Sequence, residues 1–237
     1  MSVYDELLHV QEHDTAADRL THRRETLPEA ARLNAVSDSI AAVEGVLAET
    51  VERRDAALKV ERRLEDELGG VEAKIKDLET RLYSGQVGVI RELQALQADI
   101  ESLRRRRAAL EDEFLGAMGE REPIDEEVRA LEAERERLDG EGSQLRATIA
   151  EAQASIEAEL KVETEARAQA AAAVPADLLA LYEQIRTKED GIGAAALVNG
   201  RCGGCHLALP ATELDRMKRE PPDALVRCEQ CGRILVR

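Results

Sequence analysis

Four cysteines, all within the last 36 residues of this 237-residue chain, are the side chains best suited to chemistry. They form two Cys-x-x-Cys pairs, Cys202/Cys205 and Cys228/Cys231, separated by 22 residues. Each such turn aims two thiolates at one point, and two turns complete the tetrahedron of sulfurs that zinc takes at about 2.3 Å. The spacing predicts one structural Zn2+ bound by Cys202, Cys205, Cys228 and Cys231. Sulfur then fills every position, leaving none open for a hydrolytic water. A thioredoxin-like role needs a βαβ setting, which the sequence lacks. Gly203, Gly204 and Gly232 are expected to supply the positive dihedral angles of the turns. A tail of about 40 residues with so few apolar side chains needs metal to fold. His206, beside Cys205, is expected at the surface or just outside the ligand set, and His9, His13 and His22 are expected in solvent.

The elements that carry this tail are written in a heptad pattern. Apolar residues recur at alternating spacings of three and four, from Leu33, Val36 and Ile40 to Ile75, Leu78 and Leu82, and again from Leu93, Leu96 and Ile100 to Leu145, Ile149 and Ile156. Such a run is the seam of a coiled coil. The break at 83–89 is too short to reach a parallel partner, so the second helix returns along the first. Facing Leu82 with Val89 pairs Ile75 with Leu96, Leu68 with Leu103, Ala57 with Phe114 and Leu47 with Ile124. Polar seam positions, among them Thr50, Glu61, Arg107 and Arg121, read as register-fixing contacts, with Arg121 facing Thr50. Pro28 falls level with Gly140 and Gly142, which predicts a shared kink. Val51, Ala56, Leu58, Leu115 and Met118 are apolar off the seam; they are either side packing or a docking stripe.

The expected fold is mainly α: a long antiparallel coiled-coil helical hairpin with a small C-terminal β-rich zinc ribbon. The hairpin spans 1–174 with its tip at 83–89, a short helix and linker span 175–196, and the ribbon spans 197–237. Leu178, Leu179, Leu181, Tyr182 and Ile185 give the short helix one apolar face, to pack on the hairpin base or under the tail.

Composition narrows the function. The chain is 43% hydrophobic with only 2% aromatic residues, and the apolar residues are periodic, so long helices rather than disorder follow. A formal charge of −16 argues against a dedicated duplex-DNA binder. The charge is uneven: residues 74–107 carry eight Lys/Arg against five Asp/Glu, and 197–237 carry seven against five. Arg104, Arg105, Arg106 and Arg107 are either a solvated, ion-paired face or a partner or RNA contact. The absence of an apolar run or a leader points to a cytoplasmic chain with no membrane partner. No nucleophile–base pair or phosphate-cradling loop is visible, so neither an enzyme nor a small-molecule substrate is expected.

Two segments carry a likeness. Leu82-Tyr83-Ser84-Gly85 with Arg91-Glu92-Leu93 and Leu96-Gln97, and Cys202-Gly203-Gly204-Cys205 with Arg227-Cys228, Cys231-Gly232-Arg233 and Ile234-Leu235, resemble the bacterial family of coiled-coil hairpins ending in a four-cysteine zinc ribbon. The resemblance implies a rod with a small zinc module and no catalytic activity. It also implies association with an alternative sigma factor of the nitrogen type, flagellar regulation or RNA binding in some members. The expected function is a non-enzymatic adapter or chaperone-like regulator that binds a protein, with the transcription machinery as one partner class; the alternative is an RNA- or DNA-binding regulator acting through the ribbon. Candidate contacts are Arg201, Leu207, Lys218, Arg219, Arg227 and Arg233 on the ribbon, and Tyr83, Arg91, Arg104 and Arg105 towards the tip. The oligomeric state is left open.

Overall fold

A capping box opens the chain. The Ser2 hydroxyl accepts from the Tyr4 N–H at 3.0 Å, and the Asp5 carboxylate accepts from the Ser2 N–H at 2.6 Å, so two orphan donors are satisfied at once. The computed structural model describes residues 2–85, 87–221 and 224–237. Helix α1 (Val3–Glu25) stops at Thr26, and Pro28 opens α2 (Pro28–Tyr83) at a first-turn position where its missing N–H costs nothing. After the expected tip, whose Gln86 lies outside the described residues, α3 (Ile90–Ala172) runs through Pro123, Gly140 and Gly142 without a break. Pro175 precedes α4 (Ala176–Lys188), and β1 (Ala194–Val198) begins ahead of the ribbon start expected at 197. Then come β2 (Arg201–Cys202), α5 (Ala211–Arg219) and β3 (Ile234–Val236). The contacts divide the chain into two compact units, Leu33–Gln144 and the segments before and after it.

In the Leu33–Gln144 unit the buried positions are the heptad seam: Val36, Leu64 and Ile75 on α2, with Leu96, Ile100, Leu110, Val128 and Leu138 on α3. The ion pairs across it link like flanks of the two helices: Glu79 with Arg104 at 2.6 Å, Glu67 with Arg106 at 3.4 Å and Arg53 with Glu127 at 3.2 Å. Facing like flanks is what an antiparallel pair requires, because reversing one helix exchanges its neighbours. The register differs from expectation. Arg121 holds Glu61 at 2.7 Å, not Thr50; Arg135 holds Glu44 at 3.4 Å; and Leu103 lines a surface cleft with Ala73, Lys74, Asp77 and Leu78, well past Leu68. The helices are thus slid by about one heptad, or about 10 Å at 1.5 Å per residue. The slip moves Ile75 towards Leu103 and Leu47 towards Leu131. A one-heptad slide keeps seam position against seam position, although it sets Val43 against Arg135 and Val71 against Arg107, so the three-four spacing alone does not choose between the two.

Most polar groups on the seam are satisfied, the buried Arg107 Nε excepted. Thr50 is buried and its hydroxyl donates to Val46 O at 2.9 Å, while Glu61, Arg121 and Asp125 form one network. Val51, Leu58 and Met118 are half-buried on one flank, whereas Val46 and Val60 are exposed on the other and Leu115 stands on the outer face. The off-seam residues are therefore mostly side packing and do not form a single stripe.

In the other unit the sheet order is β2-β1-β3, with β1 antiparallel to β2 and parallel to β3. Because side chains alternate across a strand, paired residues serve two cores. Ala194 and Ile234 face Leu7, Val10, Val174, Tyr182 and Ile185 of the helices, and Ala195 and Leu235 face Leu209, Met217, Val226, Cys202 and Cys228 of the ribbon. The ribbon sheet thereby shares a core with α1 and α4.

Candidate metal centre

The two Cys-x-x-Cys turns are built alike. In the first, the His206 N–H donates to Cys202 O at 2.8 Å and the Cys202 N–H to Leu207 O at 3.1 Å; in the second, Gly232 N–H donates to Cys228 O at 2.8 Å and Cys228 N–H to Arg233 O at 2.9 Å. The residue after the second cysteine is left-handed in both, His206 at φ 63° and Gly232 at φ 74°. The expectation for glycine is met at Gly232, but in the first turn the positive dihedral falls on His206. Gly203 and Gly204 serve close approach instead: a Cβ at Gly203 would lie 2.9 Å from Ala196 O, and one at Gly204 would lie 2.5 Å from Arg233 Cδ.

These turns bring the four sulfurs together, all within 4.8 Å of one another, with Cys202–Cys231 and Cys205–Cys228 each at 3.9 Å. A tetrahedron of sulfurs at about 2.3 Å from zinc has edges of about 3.8 Å, so the tetrad fits one Zn2+ with no other ligand. Cys202 and Cys228 are buried, Cys205 and Cys231 half-buried. Burial pushes the Cys202 thiol up and the Cys228 thiol up to about 12. At Cys231 burial opposes ionisation, but N–H groups of Arg233 and the neighbouring thiols hold it below the ordinary range. Zinc supplies the positive charge that keeps all four as thiolates.

The chain matches the CT398-like coiled coil hairpin domain over residues 10–190 and the C4-type zinc ribbon domain over 201–235. It belongs to the CT398-like hairpin family. An uncharacterised Mycobacterium tuberculosis protein, found in strains H37Rv and CDC 1551, is 30% identical over 98% of this chain and 94% of its own. Among solved structures, CT398 from Chlamydia trachomatis aligns with a TM-score of 0.64 at 20% identity, over 99% of this chain and 97% of its own. A Mycobacterium smegmatis protein aligns over the whole of both chains with a TM-score of 0.58 at 28% identity. HP0958 from Helicobacter pylori aligns with a TM-score of 0.52 at 18% identity, covering 99% and 96%. Among the described residues of this family member no helix is long and apolar enough to cross a membrane.

The candidate contact residues have different surroundings. Arg201, Leu207, Lys218, Arg219 and Arg227 are exposed on the ribbon, Lys218 near Asp215 at 3.7 Å and Arg227 donating to Gly232 O at 2.8 Å. Arg233 is buried at 8% exposure: its Nε donates to Ile192 O at 3.0 Å and its Nη2 to Glu189 O at 2.8 Å, so it is a bond within the chain and not an outward contact. Arg237 is exposed but is also bonded within the chain, donating to the Met217 carbonyl in the last turn of α5 and to the Glu220 and Pro221 carbonyls just after it. Tyr83, Arg91, Arg104, Arg105 and Arg106 are exposed, and three of the four arginines of the run are ion-paired, Arg104 with Glu79, Arg106 with Glu67 and Arg107 with Glu111.

Sequence reasoning missed a buried polar group on α1. Asp14 accepts from the Tyr182 hydroxyl at 2.7 Å and from Arg167 Nε at 3.0 Å, with Arg186 Nε at 3.6 Å, and burial followed by this contact pushes the Tyr182 phenol up. One turn earlier, Gln11 Oε1 accepts from the Gly193 N–H at 2.7 Å and Nε2 donates to Gly191 O at 3.0 Å. His13, expected in solvent, is half-buried with Nδ1 2.7 Å from Glu163. The available signal was spacing: Leu7, Val10, Gln11 and Asp14 lie on one helical face.

Proposed function

We propose that this chain is a non-enzymatic adapter, a chaperone-like regulator that binds a protein partner through its zinc ribbon. The observation that carries the reading is the set of large apolar side chains left in solvent on the ribbon, Val198, Leu207 and Leu225 at 55%, 53% and 45% exposure, on a domain that also exposes Arg201, Arg219 and Arg227. Exposed apolar anchors and arginines on one small domain suit protein recognition. Pairing of Val198 with Arg201, and of Arg201 with Ala208, puts those three on one face of the sheet. The hairpin tip offers a second such surface, with Tyr83 at 82% and Ile90 at 73% exposure.

Electrostatics favours protein over nucleic acid. The ribbon's seven Lys/Arg exceed its five Asp/Glu by two, and four thiolates around one Zn2+ carry a formal charge of −2 that cancels this excess. The alternative, an RNA- or DNA-binding regulator, draws on Arg219 and Arg227, which have no carboxylate partner among the described residues. Four sulfur ligands would leave the metal no open position for a hydrolytic water, which fits a non-catalytic role. A cytoplasmic setting, where thiols stay reduced and free for zinc, belongs to the same reading.

The test compares the tagged chain with a Val198→Glu/Leu207→Glu variant that retains zinc. A stoichiometric protein complex that survives moderate salt and is lost in the variant supports the adapter. Copurifying RNA whose binding falls steeply with salt supports the alternative. Unchanged protein binding in the variant moves the recognition surface to Tyr83 and Ile90.

A further inference from the structure

The geometry points to Arg233 as a positioning residue that couples zinc binding to the packing of α1 and α4. The residue touches both cysteine turns, one through its side chain and the other through its backbone. The stem crosses Gly204 of the first cysteine turn, where an added Cβ would meet Arg233 Cδ at 2.5 Å, and the Arg233 carbonyl accepts from the Cys228 N–H of the second turn at 2.9 Å. The guanidinium leaves the centre and ends on the turn between α4 and β1, donating to Glu189 O at 2.8 Å and Ile192 O at 3.0 Å, with the Glu189 carboxylate 3.6 Å away. A single buried residue thus touches both halves of the zinc site with its stem and backbone, and the carbonyls of one loop with its guanidinium.

That loop needs the support. Asp190 at φ 51° and Gly191 at φ 84° are consecutive left-handed residues, a conformation that costs free energy at a non-glycine position. On its far side the loop is held by Gln11 of α1, which donates to Gly191 O and accepts from the Gly193 and Ala194 N–H groups at 2.7 and 3.3 Å. Gly193 itself is pinned, because a Cβ there would come within 2.6 Å of Tyr182. The connection therefore runs from the cysteine turns through Arg233 to the Glu189–Ile192 loop, and from the loop through Gln11 to α1. When zinc is absent the turns lose their shape, the Arg233 stem loses its support at Gly204, and two loop carbonyls lose their donor. By linkage the effect is reciprocal: loosening the loop weakens zinc binding, although no loop residue is a ligand.

The experiment uses the full chain. Zinc affinity is measured by competition with a chromophoric chelator in wild type, Arg233→Met and Gln11→Ala, and amide hydrogen exchange is followed at Gly193 and Ala194 with zinc saturating and after EDTA. Arg233→Met keeps the stem but removes the donors, and is expected to weaken zinc about 10–100-fold, the usual size for a residue supporting a ligand. Exchange at Gly193 and Ala194 is expected to accelerate in Arg233→Met at saturating zinc and in wild type after EDTA, while exchange within 33–144 stays unchanged. Should Arg233→Met not fold, Gln11→Ala decides: zinc affinity reduced by several-fold supports the coupling. Wild-type zinc affinity in either folded variant, or exchange at Gly193 and Ala194 that ignores EDTA, overturns it.

Discussion

The one-heptad displacement of the hairpin makes a test with a sharp geometric margin. A disulfide needs Cα atoms about 4.4–6.8 Å apart and Cβ vectors that converge. With helix axes about 8–10 Å apart, only seam residues at the same level meet that condition. Ile75 is level with Leu103 in the structure, as Leu103 beside Ala73, Lys74, Asp77 and Leu78 shows, whereas pairing from the tip by the shortest turn puts Ile75 level with Leu96. Seven residues at 1.5 Å separate the alternatives by about 10 Å along the axis, more than any rotamer change recovers. Ile75→Cys/Leu103→Cys should oxidise within one chain almost completely, and Ile75→Cys/Leu96→Cys should remain reduced. The zinc-loaded form keeps the four native cysteines out of the reaction, and digestion with mass spectrometry assigns the bridge. Cross-linking of the Leu96 pair, with none in the Leu103 pair, would refute the slid register; cross-links only between chains would refute the antiparallel hairpin.

Other outcomes follow from single sites. Cys228→Ser should reduce bound zinc from one per chain to none by elemental analysis; because Ile234 and Ala194 share a core with Leu7, Val10 and Tyr182, α1 and α4 should lose protection while the hairpin keeps its helical circular dichroism. His206→Gly relieves a left-handed side chain and should be neutral or stabilise zinc-bound protein by up to about 1 kcal/mol, while Gly232→Ala at φ 74° should destabilise it by at least that much, both read from thermal melting. Tyr182→Phe removes a buried hydrogen bond to Asp14, which keeps Arg167 as a donor; a loss of about 1.5 kcal/mol, or about 3–6 °C in Tm, is expected. Zinc affinity should fall with pH: burial pushes the Cys228 thiol up to about 12 and the Cys202 thiol up as well, so both are protonated without metal at neutral pH and zinc must displace those protons. Calorimetry in buffers of different ionisation enthalpy counts them, and binding without proton release would contradict the assignment.

Helix existence, the hairpin and the zinc ligand set were legible because each rests on local spacing. A three-four repeat marks a seam wherever it occurs, and two Cys-x-x-Cys turns carry their own geometry. The short helix α5 went unread, since Ala211–Arg219 has few apolar positions and sits in the stretch between the cysteine pairs.

What tertiary structure alone decided concerns residues whose partners are far away in the chain. The heptad repeat is unchanged by a shift of seven, so register was settled by the particular ion pairs between Arg121 and Glu61 and between Arg135 and Glu44. Gln11 and Asp14 look like a solvated helix face until Gly193 and Tyr182 arrive from more than 160 residues downstream. Arg233 has the composition of a surface cation, and it is buried because Gly204 leaves room for its stem and the left-handed loop after α4 presents two carbonyls to its guanidinium. A charge can enter a core only when donors and acceptors are assembled around it, and that assembly is a property of the fold, not of any local pattern in the chain.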